Sequence, residues 1–186
     1  VGTLLVINAD TSFLLGHAVC STIAVPRALV TAAIGISRQG DIVVAYFDNN
    51  GNRNHAFLLS HGAFTTIDID IPGATQTNAL GINRQGDIVG FYGDSSFNVH
   101  GFLLSNGSFT TIDVPEGGGT FATGINLQGD IVGLSFGISE SGCLLRNGKF
   151  PTTAIPGAIG TASNGVDWRG DSVGVFTSHS SPLSGY

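Results

Sequence analysis

An all-β repeat fold, a small β-propeller of four or five blades, is what this sequence predicts, and three observations carry the prediction. A Gly-Asp-Ile-Val tetrapeptide recurs about every forty residues. Short β-branched runs alternate with hairpin-turn residues inside each repeat. No apolar run keeps the 3.6-residue period of an amphipathic helix for long enough to build one.

The tetrapeptide stands at Gly40–Val43, Gly86–Val89 and Gly129–Val132, with Gly170–Val173 (Gly-Asp-Ser-Val) as a variant and Gly2–Leu5 as a worn copy. The rest of the unit repeats with it. Phe13-Leu14-Leu15, Phe57-Leu58-Leu59, Phe102-Leu103-Leu104 and Cys143-Leu144-Leu145 correspond. Each is followed by a proline (Pro26, Pro72, Pro115, Pro156), then by a threonine (Thr31, Thr77, Thr120, Thr161) and a glycine (Gly35, Gly81, Gly124, Gly165). The units span about 2–39, 40–85, 86–128 and 129–169, with a partial unit at 170–186, and together they form one repeat domain over 1–186.

Taken in order, each unit reads as four short strands. Asp87–Tyr92 is apolar and β-branched, and Gln85-Gly86-Asp87 before it is a tight turn. His100–Leu104 and Phe109–Val114 are joined through Asn106-Gly107, which supplies the two positive φ angles of a type I′ hairpin. Asn147-Gly148 does the same one unit later. Pro115 ends the third strand, where a missing N–H is tolerated. Thr120–Asn126 is the fourth. Four strands per repeat is the pattern of a propeller blade. A β-solenoid is the alternative, but its coils are usually shorter and lack a hairpin turn in every unit. The repeated glycines fit inner strands crowded at an axis, where Cβ atoms compete for space.

Composition excludes several functions. Lys plus Arg number 7 against 13 Asp plus Glu, a net charge of −6. So few cations cannot build the basic stripe that nucleic acid requires. No apolar run reaches the ~18–20 residues of a membrane span. Charged residues make up only 11% of the chain, far below the ~25% of an ordinary soluble domain, and 28 residues are glycine. Low charge with abundant Gly, Thr, Ser and Asn is a compositional pointer to a secreted β protein. The chain opens at Val1, as a processed mature chain or a fragment would.

The run His55-Ala56-Phe57-Leu58-Leu59, then Ile69-Asp70-Ile71-Pro72-Gly73, then Gly-Ile-Asn-x-x-Gly-Asp-Ile-Val-Gly at Gly81–Gly90 resembles the HAF family of extracellular repeats of bacterial surface and secreted proteins. The resemblance covers essentially the whole chain and is strongest from about Gly35 to Gly133. Thr11 and Ser141 stand where the motif has His. It implies a repetitive β architecture and an extracellular or cell-surface setting, and it brings no catalytic site.

Candidate site residues follow from departures within the repeat. His55 and His100 are repeat-equivalent and are candidate ligand-binding groups, against a structural role of hydrogen-bonding a neighbouring loop. Trp168, the only Trp, stands in a turn, where an exposed ring can stack on a sugar face. Asp48, Asn50 and Asn52 form an oxygen-rich loop and are the candidate calcium ligands, although the closing bidentate Glu of an EF-hand is missing. No other cofactor is called for. Asp41, Asp87, Asp130 and Asp171 recur beside the turn glycines, where Asp usually bonds backbone N–H groups. Gly170-Asp171-Ser172-Val173-Gly174 matches the hydrolase Gly-x-Ser-x-Gly pattern, but Ser172 replaces a strand Ile and lacks the strand–turn–helix context. Cys20 and Cys143 fall at positions that are Phe in other units, so they read as small buried residues that a closing disulfide could join.

Three functional classes follow. The first is an extracellular propeller acting as a binding or structural module, with carbohydrate or a protein surface as partner. The second is a self-assembling surface or filament subunit, pairing through terminal strands left without partners. The third is a secreted hydrolase of esters or glycosides, which needs convergent acid, base or nucleophile groups.

Overall fold

The computed structural model describes residues 12–16, 19–23, 25, 28–48, 53–67, 73–136, 141–151 and 158–178, with 12–21 and 141 as backbone only. Within them lie fifteen strands and no helix. They are β1 (Ser12–Gly16), β2 (Val19–Ile23), β3 (Ala28–Ile36), β4 (Ile42–Asp48), β5 (Asn54–Ser60), β6 (Ala63–Thr66), β7 (Ala74–Ile82), β8 (Ile88–Asp94), β9 (Val99–Ser105), β10 (Ser108–Ile112), β11 (Gly119–Ile125), β12 (Ile131–Phe136), β13 (Ser141–Leu145), β14 (Ala158–Val166) and β15 (Ser172–Ser178). Among the described residues no helix is long and apolar enough to cross a membrane.

The strands form antiparallel meanders of consecutive strands: β1-β2, β3-β4-β5-β6, β7-β8-β9-β10, β11-β12-β13 and β14-β15. A solenoid would instead pair strands of successive coils. The strand expected at Thr120–Asn126 is β11. It opens a new sheet instead of closing the one before, so the sheets are phased one strand earlier than the tetrapeptide units.

Local chemistry explains the meanders. His61-Gly62, Asn106-Gly107 and Asn147-Gly148 all have positive φ at both residues, the type I′ geometry whose twist matches the flanking strands. The second strand of each full sheet is apolar because both its faces are covered. Val43, Val89 and Val132 are each 0% exposed.

Each sheet packs its first strand on the sheet before it. β7 lies against β4 and β5, β11 against β8 and β9, and β14 against β12 and β13. β1 touches β3 in the same sense. The side chain ending each outer hairpin seals the junction. Ile23 packs with Ile42, Val44 and Phe57; Ile67 with Ile88, Tyr92 and Phe102; Ile112 with Ala122 and Ile131. These three isoleucines are repeat-equivalent and all buried, so β1-β2 is docked on the β3 sheet as β5-β6 is docked on the β7 sheet. Among the described residues the series of sheets is not closed: β14-β15 and β1-β2 are separate two-stranded sheets.

The glycine column makes the close approach that the repeat predicts. In all four long first strands a β-bulge shifts the register just before the glycine, at Ala33/Gly35, Ala79/Gly81, Ala122/Gly124 and Ser163/Gly165. A Cβ built on Gly81 would lie 3.3 Å from both the Gly124 Cα and the Thr123 carbonyl oxygen of the next sheet. Backbone atoms cannot rotate away, so Gly81→Ala should cost about 1–3 kcal/mol, as overpacking does. A Cβ on Gly165 meets only Val173 Cγ2 at 3.5 Å. Gly165→Ala should therefore be neutral or slightly stabilising. Thermal unfolding of the two variants checks this, and equal shifts would contradict it.

Candidate functional site

The turn between the first and second strands of each sheet is built by one polar residue. Ser37 Oγ accepts hydrogen bonds from the N–H groups of Gln39 and Asp41. Asn83 Oδ1 accepts from Gln85 and Asp87, Asn126 Oδ1 from Gln128 and Asp130, and Asp167 Oδ1 from Arg169 and Asp171. The turns are capped by side-chain oxygens, but not by the recurring aspartates expected to do it: the capping group lies four residues before each of them. Asp87 and Asp130 instead accept from the amides of Asn83 and Asn126, at 2.8 and 3.0 Å.

The same amides stitch sheet to sheet. Asn83 Nδ2 donates to the Asn126 carbonyl at 3.1 Å, and Asn126 Nδ2 to the Asp167 carbonyl at 2.9 Å. Gln39 and Gln85 donate to the carbonyls of Arg84 and Leu127. Asn126 is buried and uses both its oxygen and its amide, so Asn126→Ala strands several polar groups. A loss of about 2–3 kcal/mol is expected from urea unfolding. A loss below about 0.5 kcal/mol, the scatter of surface substitutions, would be incompatible with this role.

Asp130 also pairs bidentately with Arg146, Nε to Oδ1 and Nη2 to Oδ2 at 3.0 Å each, and Arg146 reaches the Gly170 carbonyl. The Arg146 hydrogen bond, aided by Asn126, holds the Asp130 carboxyl below its ordinary value of 3.8 against the opposing effect of burial. A lowered folded-state pKa adds stability above the unfolded value, which is lost as pH falls through the folded one. Arg146→Gln should therefore start less stable at neutral pH and lose less between about pH 4 and pH 2 than the parent chain. Melting temperatures across that range test it, and parallel curves would refute it.

The two repeat-equivalent histidines are pinned by their own sheets. His100 stacks on Tyr92 with ring centroids 5.0 Å apart, and its Nδ1 lies 3.0 Å from Asp113 Oδ1. Its Nε2 is 3.5 Å from Asp94 Oδ2. Asp94 caps its own loop, accepting from the Ser96 and Asn98 N–H groups and the Asn98 side chain; the last of these leads in holding its pKa down. His55 stacks on Tyr46 at 5.1 Å, with Nε2 3.6 Å from Asp48 Oδ2. Asp48 is thus brought beside His55, and its Oδ1 accepts the Arg53 N–H. Asn50 and Asn52 lie outside the described residues.

Trp168 is exposed in the β14-β15 turn, and the Arg169 guanidinium stands 4.7 Å over its ring, occupying one face. Ser172 opens β15 opposite Val166 as an ordinary strand residue. Cys143 is a buried free thiol, with burial pushing its pKa up to about 11. The side chain of Cys20 lies outside the described part of the structure.

Of the predicted site residues, His55 lines a cleft. A cleft of about 160 Å³ runs between the β4-β5 connection and β7, bounded by Arg53, Asn54, His55, Gln76 and the hydroxyl-bearing Thr75 and Thr77. Asn54 Nδ2 donates to Gln76 Oε1 at 3.4 Å across it. Arg53 is set in place by its loop, where its carbonyl accepts the Asp48 N–H at 3.1 Å. Sequence reasoning misses Arg53 and Gln76. The available signal is that both break their columns: Arg53 aligns with Asn98, and Gln76 with Val30, Gly119 and Gly160.

No family model matches the chain, and no curated protein matches it. Among solved structures it is similar to a triple arginine-to-alanine mutant of AofleA from Arthrobotrys oligospora, with 15% sequence identity and a TM-score of 0.42. The match covers 74% of this chain and 46% of that one, so the chain spans less than half the length of this neighbour.

Proposed function

We propose that the chain is a propeller-type binding module that works outside the cell or on its surface and recognises a neutral polyhydroxylated ligand, such as a carbohydrate, in the Arg53–Thr77 cleft. Successive four-stranded meanders, each seated on the next through a glycine column and an isoleucine plug, support the propeller reading. The low charge and the HAF resemblance support the location.

The cleft carries the ligand reading. Its lining offers a donor in Arg53, an acceptor in Thr75, whose hydroxyl already donates to the Gly93 carbonyl at 3.2 Å, and amides at Asn54 and Gln76 that do either. Sugar hydroxyls need that mixture. Arg53 is the only formal cation in the lining, and the chain carries a net charge of −6, which disfavours anions. At about 160 Å³ the cleft has room for several waters or a small polar ring. Tyr46 behind His55 fixes the imidazole, so little side-chain freedom is lost there on binding.

A glycan array followed by calorimetry on the hits tests this. Arg53→Ala should weaken binding at least tenfold, since hydrogen bonds to charged groups contribute about 1.5–3 kcal/mol. Trp168→Ala, in a different turn, should leave it unchanged. Absence of any carbohydrate ligand, or equal effects of the two variants, would sink the proposal.

A further inference from the structure

We infer that the cleft ligand is a chain of at least two sugar rings, and that Phe97 on the β8-β9 loop is the platform on which the ring after the one in the cleft stacks. The inference rests on the carbohydrate reading of the Arg53–Thr77 cleft and adds to it a length and a second contact.

Phe97 breaks two local rules at once. It is 95% exposed, the most exposed of the large apolar side chains described. Its φ is +66°, and it is the only apolar residue among the described non-glycine positions with positive φ. A Cβ in that region crowds the backbone, so glycine or asparagine is the ordinary choice there. The ring gains no burial to offset that strain, which points to a use outside the fold. The loop nevertheless holds it in one place. The Asp94 carboxylate accepts the N–H groups of Ser96 and Asn98 and the Asn98 amide, each at 2.8 Å, and the Asp94 carbonyl accepts the Phe97 N–H at 3.2 Å. A loop fixed in this way loses little freedom on binding. It belongs to the β7–β10 sheet, which has a described sheet on either side.

The loop stands beside the cleft. Ala74 and Thr75 line the cleft, and Ala74 is the register partner of Asp94, the residue that caps the loop. Gln76 links the two places. Its Oε1 accepts Asn54 Nδ2 on the opposite wall, and a Cβ built on Gly93 would lie 2.9 Å from its Nε2. Glycine at 93 therefore gives Gln76 its room. The same column holds Phe47 and Phe136 in the sheets before and after, so this sheet is low between cleft and loop where its neighbours carry a ring. Paired strands lie ~4.8 Å apart. With β8 beside β7, the loop begins about one sugar ring's width from the cleft.

The surroundings of the ring name its occupant. Ser95, Ser96 and Asn98 are exposed and uncharged. A protein partner docks on an extended patch with an apolar centre, whereas Phe97 is a single ring set among polar groups. A sugar ring matches both features: its C–H groups meet the electron-rich aromatic face, and its hydroxyls reach the serines at the edge.

Calorimetry on the 186-residue chain tests this with glucose, galactose, mannose and N-acetylglucosamine, each as mono-, di- and trisaccharide. At least one series should bind, with the disaccharide about fivefold to tenfold tighter than the monosaccharide, the gain that covering one ring face supplies. Phe97→Ala should erase that gain and leave the monosaccharide affinity unchanged, and Phe97→Trp should restore it. Phe97→Gly should lose the same gain while raising the melting temperature by about 2–4 °C, because glycine relieves the backbone. A fall in melting temperature would show that the ring serves the fold and would overturn the inference. If Arg53→Ala weakens binding but Phe97→Ala weakens neither sugar, or both equally, the inference is overturned and the cleft reading stands. If the parent chain binds none of the sugars, the cleft reading falls and the inference falls with it.

Discussion

The buried asparagine amide in the turn between first and second strands is the contact on which the β7–β11 and β11–β14 junctions rest. Asn83 and Asn126 each bind two N–H groups of their own turn, the aspartate four residues on, and a carbonyl of the next sheet. One side chain thus fixes the turn, orients the carboxylate and sets the distance to the neighbour. Because the same residue does all three, the shape of the turn and the spacing of the sheets cannot vary independently. The glycine column then becomes a requirement. With the turns held at hydrogen-bonding distance, the strands leading into them approach until Gly81 meets Gly124, and no Cβ fits between.

The stitch also has a direction, and it changes at the first and last of the described turns. Each turn donates forward, from Asn83 to Asn126 and from Asn126 to Asp167. At the last turn the donor position holds Asp167, whose carboxylate oxygens only accept. The third position changes as well, from Gln39, Gln85 and Gln128 to Arg169. Among the described residues the sheet-to-sheet ladder built from amides therefore ends at the Asp167 carbonyl. At the first described turn Ser37 caps the turn but has no amide to carry forward, and Gln39 donates to the next sheet instead.

Much of the architecture was legible because it is written as columns. Period, hairpin turns, strand positions and crowded glycines all depend on residue type at a fixed place in the repeat, and those can be counted. The grouping of strands into sheets was not legible in the same way. A repeat has no intrinsic starting point, and whether Thr120 ends one sheet or opens the next is decided by which neighbour its strand hydrogen-bonds. The capping role of Asn83 and Asn126 was hidden behind the more conspicuous Asp. A carboxylate beside a turn glycine looks like the cap, yet here it is the group being held. His100 shows the same limit from the other side. Its place in the repeat was plain, but the aspartates at 94 and 113 that engage it come from a loop and a strand end.

The cleft illustrates why a site is harder to read than a fold in a protein of this kind. Repetition places equivalent residues at equivalent junctions, so a column on its own predicts either several copies of a site or none. Between the β3 and β7 sheets two departures coincide: Arg53 on the loop of one sheet and Gln76 on the first strand of the next. At the following junction Gln76 is replaced by Gly119, which leaves no polar side chain at that place. Chemical individuality therefore arises where neighbouring units break the pattern toward the same space, and that convergence is visible only once the sheets are stacked.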